Sequence, residues 1–187
     1  MARPDPRLPF GRLGLLLAIL VLPAAKGAEP RPLDLQVKAA FLPKFAAYVN
    51  WPRGAVRAPN DPLELCVIGR DPFGALLDDA AAGQQVDQHP IQIRRFDGTA
   101  NALDCHIAFL GGSTRQSAAA MQEAMKGQPV LTVTDANVGP TRGIVHFALK
   151  DGRVRFYIDD AAAARSNLVI SARLLSLAIG VTPRARA

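Results

Sequence analysis

The chain is poor in the residues that usually carry chemistry. Among its 187 residues are two cysteines, one tryptophan, three histidines and three glutamates. The glutamates, Glu29, Glu64 and Glu123, are scattered and form no carboxylate pair of the kind that general acid–base hydrolysis uses. The histidines, His89, His106 and His146, fall in or beside separate strand-like segments. None has HxxxH-type spacing, so no metal site is expected and no cofactor is implied. Ser113 follows two glycines but lacks the GxSxG pattern of a nucleophile elbow. Asp159-Asp160 precedes an alanine-rich segment, where adjacent acids cap a helix. With no catalytic constellation, a secreted hydrolase is the weakest reading and a non-enzymatic role is expected.

A long apolar run is also missing. Leu13–Leu22 is too short for a membrane span, which takes about 20 residues. Arg3, Arg7 and Arg12 precede the run and Ala24, Ala25, Gly27 and Ala28 follow it. That order describes a cleaved secretory signal peptide over residues 1–28 and a periplasmic protein over 29–187. No cysteine follows the run, so no lipoprotein anchor is expected. Of 22 basic and 16 acidic residues, four basic and one acidic fall in the leader, leaving 18 against 15. No basic stripe is legible in the remainder, which argues against nucleic-acid binding.

What is present reads as alternating elements. Leu35, Ala39, Leu42, Phe45 and Val49 form one helical stripe over Leu33–Val49, with a kink or break expected at Pro43 and an end at Trp51-Pro52. After the Pro/Asn/Asp-rich loop Arg53–Pro62 comes an apolar strand, Leu63–Ile68. Asp71 as N-cap and Pro72 at the first helical position predict a helix over Phe73–Ala82. Strands are expected at Ile91–Phe96, Cys105–Leu110 and Val130–Thr134, with a helix from a Ser113 cap to Lys126 closed by Gly127. Gly143–Leu149 and Arg153–Ile158 alternate around Lys150-Asp151-Gly152, a hairpin signal. Asn167–Gly180 closes the chain as an apolar helix or a strand-turn-helix. The fold class is α/β: a single domain with a mixed, mostly parallel sheet flanked by helices in a flavodoxin/Rossmann-like layout, plus a C-terminal antiparallel hairpin.

The first and third strands of such an order often lie side by side. Cys66 and Cys105 sit near their starts, so in an oxidising compartment they are expected to pair. Two buried, unpaired thiols are the alternative. Arg70, Asp71, Phe73, Gly112 and Ser113 lie at strand carboxyl ends, where open α/β sheets bind ligands, although plain turn and cap chemistry uses the same residues. The hairpin is expected toward a sheet edge. Beyond it, Leu168, Leu174 and Leu175 with Arg173 are expected to form an exposed apolar face, with Arg165 also at its rim. Internal packing or a homodimer would equally account for these leucines.

Several segments resemble the YfiR family of bacterial periplasmic proteins: KAAFLPKFAAYVNWP, LELCVIGRDPFG, DCHIAFLG, VLTVTD, GIVHFALKDGRVRFYID and NLVISARLLSLA, in the family's order. The resemblance implies a repressor that binds the periplasmic sensor domain of an inner-membrane diguanylate cyclase and so controls cyclic-di-GMP and biofilm formation. It also implies release by an outer-membrane lipoprotein and a disulfide between Cys66 and Cys105. The chain departs from the family at Pro43, where an aromatic is common, and lacks the second cysteine pair of some members. The competing expectation is a periplasmic small-molecule sensor using the crevice.

Overall fold

The stripe of Leu35, Ala39, Leu42 and Phe45 folds as one face of a helix packed into the core. In the computed structural model, which describes residues 33–185 apart from 57, 59 and 103, helix α1 spans Leu33–Phe45. The expected signal peptide lies outside the described residues. The helix runs through Pro43 and changes to a 3-10 turn at Ala46–Tyr48, so the break falls after Phe45. Proline removes one backbone bond. Burial of Phe45 and Ala46 on the sheet, where Phe45 meets Phe147 at 5.8 Å and Phe156 at 5.5 Å, holds the last turn helical.

The strands that follow are β1 (Val49–Asn50), β2 (Leu63–Gly69), β3 (Gln85–Val86), β4 (His89–Phe96), β5 (Ile107–Gly112), β6 (Leu131–Asp135), β7 (Val145–Lys150), β8 (Arg153–Asp159), β9 (Val169–Ile170) and β10 (Gly180–Thr182). The helices between them are α2 (Ala75–Ala81), α3 (Ala118–Ala124), α4 (Asp160–Arg165) and α5 (Ala172–Leu177). The large sheet has the order β10-β8-β7-β6-β5-β2-β4-β3, and β1 and β9 form a separate ribbon. Its centre, β4-β2-β5-β6-β7, is all parallel and reproduces the flavodoxin-like order. The hairpin β7–β8 is antiparallel, with Asp151 and Gly152 both at positive φ, as an Asp-Gly turn requires. Strand β10 then adds in parallel to β8, so the hairpin is one strand in from the edge over part of its length.

Alternate residues of each central strand feed two cores. Leu65, Val67, Phe109 and Val133 face α1, α2, α4 and α5 in the larger one. Cys66, Ile68, Ala108 and Leu110 meet Met121 and Met125 around α3 in the smaller. Two helix starts differ from expectation. Helix α2 begins at Ala75 because Asp71 Oδ1 accepts from the amides of Phe73 and Gly74 and closes a turn first. Helix α3 is capped by Ser117, since Ser113 is tied into a turn with Gln116.

Candidate functional site

The two glycine-bearing loops at the carboxyl ends of β2 and β5 meet where a doubly wound sheet would open its crevice. Here they close on each other. A Cβ on Gly69 would lie 2.4 Å from Gly112 O, and one on Gly111 would lie 1.9 Å from Arg70 O. Arg70 N–H donates to Gly112 O at 2.8 Å. Backbone fills the switch point, and these glycines permit that approach.

The open space lies one strand over. A cleft of about 770 Å³ is lined by Gly69, Asp71, Arg95, Asp97, Arg115 and Gln116, among others. Arg95 Nε donates to Asp71 Oδ2 at 2.8 Å, and Nη1 and Nη2 donate to the two oxygens of Asp78 at 2.9 Å. These bonds, to Asp78 first and then Asp71, raise the Arg95 pKa. Burial opposes ionisation of Asp71, yet Arg95 and the amides of Phe73 and Gly74 outweigh it and lower its pKa. Arg115 pairs with Asp97, and Gln116 Oε1 accepts from Thr99 N. The cleft's polar groups thus engage one another. Of the five residues expected to line a crevice, Asp71 reaches the cleft. Arg70 is exposed outside it, Phe73 is buried against Phe109 at 4.8 Å, and Gly112 and Ser113 serve the loop closure.

The disulfide joins the middle of β2 to the segment that enters β5. Cys66 and Cys105 are bonded, with their Cα atoms 5.9 Å apart. Beside them, His106 Nδ1 accepts from Glu64 N at 3.0 Å while Nε2 donates to Ala55 O at 3.1 Å, which sets one tautomer. Trp51 Nε1 donates to His106 O at 3.3 Å. His106 therefore ties down the loop before β2, and burial lowers its pKa. It does not act as a base toward a thiol.

The C-terminal segment differs most from the sequence expectation. Leu168 and Leu174 are 1% and 2% exposed and belong to the larger core, together with Ile170. Leu175 is half-buried against the same core. Helix α5 has only six residues and is anchored by β9 before it and β10 after it, so little of its apolar surface turns outward. Arg173 stays outside, with its guanidinium 5.9 Å from the Tyr48 ring centroid. Leu177, one turn on, and Val169 are at least half exposed. The outer face is therefore Tyr48, Val169, Arg173 and Leu177, supported by the β1–β9 ribbon, in which Val49 pairs with Ile170 and Asn50 with Val169.

The sequence profile of DUF4154, described as YfiR/HmsC-like, matches residues 35–179. The chain belongs to the YfiR/HmsC-like family. No curated protein shows a significant match to it. The matched span contains the central parallel strands, the disulfide, the cleft and the outer face of α5. Residue-type reasoning missed a further site at the edge of this span. Lys38 is fully buried, and its Nζ lies 2.7 Å from Asp135 Oδ2 and 3.3 Å from Asp34 Oδ2. This pair bolts α1 of the YfiR-like domain to the carboxyl end of β6. The i,i+4 spacing of Asp34 and Lys38 was visible in sequence, but the third partner is remote. A second buried acid, Asp160, is held by Arg184 through Nε at 2.7 Å and Nη2 at 2.6 Å.

Proposed function

We propose that this protein is a periplasmic, non-enzymatic regulator in diguanylate cyclase signalling. On this reading it binds the periplasmic sensor domain of an inner-membrane cyclase and represses it. The observation that carries the reading is the family match over residues 35–179. The self-paired polar groups of the cleft agree with a role in contact rather than turnover. Docking is assigned to the outer face of Tyr48, Val169, Arg173 and Leu177, where an arginine beside aromatic and aliphatic groups matches the make-up of interface centres. Leu175 contributes at the margin, whereas Leu168 and Leu174 support the face from within. Release by an outer-membrane lipoprotein completes the scheme.

The experiment is binding of the purified protein to the isolated periplasmic domain of a cyclase captured from inner membranes. Arg173→Glu with Leu177→Asp should weaken binding at least tenfold, the scale expected for hot-spot residues, with an unchanged melting curve. Full affinity in that variant would place the docking surface elsewhere. A second reading, a small-molecule sensor, draws on the cleft of about 770 Å³. It requires saturable binding of a ligand that Arg115→Ala removes.

A further inference from the structure

The β7–β8 hairpin outruns both of its neighbours. Strand β6 pairs with β7 only as far as Phe147, and β10 pairs with β8 only over Tyr157–Asp159. The distal residues, Ala148–Arg155, therefore project as a two-stranded arm with no strand on either flank. The pairings Ala148↔Arg155 and Lys150↔Arg153 put three cations on one face of the arm. Like charges directly opposed across a ladder destabilise it. Among the described residues no carboxylate pairs with any of the three, and the arm's one acid, Asp151, sits in the turn. At the root of the same face, Arg142 lies over the Tyr157 ring at 4.7 Å. On the other face, Leu149 stands 51% exposed opposite the half-buried Val154.

Unpaired cations on one face of a projecting tip and an exposed leucine on the other cost stability and contribute nothing to the core. They do fit a surface that is anionic outside and apolar beneath. We propose that the Ala148–Arg155 arm docks tip-first on anionic phospholipid headgroups, with Leu149 at the acyl boundary and Lys150, Arg153 and Arg155 on the phosphates. Three strand residues reach about 10 Å, which suits the depth of the headgroup layer. The long basic side chains can turn toward phosphates from any side of the tip. An acidic protein surface would meet the cationic face alone and leave Leu149 unused. The arm would hold the protein at a membrane surface independently of any protein partner.

The test is flotation of the purified protein with vesicles of phosphatidylglycerol in phosphatidylcholine, and with phosphatidylcholine alone, at low and high salt. Binding is expected only with phosphatidylglycerol, and salt should weaken it. Arg153→Gln should weaken it about fivefold, Arg153→Glu with Arg155→Glu should abolish it, and Leu149→Ser should weaken it at every salt concentration. All three sites are exposed, so an unchanged melting curve checks the fold. Absent binding, equal binding to both vesicle types, or binding indifferent to these substitutions would overturn the proposal. So would variants that lose only a protein partner, since the arm would then serve an acidic protein surface.

Discussion

His106 has both ring nitrogens committed in its neutral form, and burial lowers its pKa from 6.5. His146, bonded to Thr134 Oγ1 at 2.8 Å, is lowered first by burial and then by Arg142. In this case the unfolded chain binds protons more readily than the folded one. Stability is therefore full above about 6.5 and falls as pH drops toward the lower folded values. Glu64 acts in the opposite sense, because burial raises its pKa. The expected outcome is a melting temperature that falls between pH 7.5 and 5.5 by less in His106→Asn than in wild type. Equal falls would show that His106 is not a source of the loss. Lys38 makes a second residue-scale case. Lys38→Met leaves Asp135 buried without its cation and should cost about 3–5 kcal/mol in urea denaturation. A cost below about 1 kcal/mol would show that water or a rearranged partner replaces the lysine. The sequence showed Lys38 only as one polar residue in an apolar helix. Its burial follows from the approach of β6, which is a long-range fact.

At the scale of elements, β2 and β5 are joined three ways: by their ladder, by the disulfide from mid-β2 to the residues entering β5, and by backbone contact at their carboxyl ends. The disulfide spans a sequence separation of 39 residues. On the chain-entropy account its removal costs about 4 kcal/mol. Cys66→Ala with Cys105→Ala should show that loss on denaturation, and an unchanged midpoint would contradict it. Gly111→Ala drives a methyl into Arg70 O and should separate the two loops. The readouts are a lowered melting temperature and faster amide exchange at Arg70. The central strands and the hairpin were legible because runs such as Leu63–Ile68 and the Asp151-Gly152 turn are local signals. Helix starts were less so: Asp71 and Ser113 are good caps by type, but each is spent on a turn that depends on neighbouring chain. The C-terminal stretch was legible only as apolar. Apolar residues spread over a short helix and two short strands do not reveal which of them face inward, and Leu168 and Leu174 turned to the core.

For the whole molecule, the flavodoxin-like order followed from the alternation of elements, while the placement of open space did not. Loop closure at Gly69 and Gly111 moves the cleft toward Arg95 and Arg115, and no pattern within either loop announces that contact. On the proposed reading a partner meets the face of α5 and the β1–β9 ribbon, where the Arg173 guanidinium lies 5.9 Å from the Tyr48 ring centroid. The central claim is repression of a cyclase through that face. It is tested most directly by cellular cyclic-di-GMP after deletion of the gene and complementation. Deletion should raise the level and wild type should restore it. Arg173→Glu with Leu177→Asp, exported and folded at wild-type abundance, should leave it high. A level that deletion does not change, or that the double variant restores in full, would contradict the account.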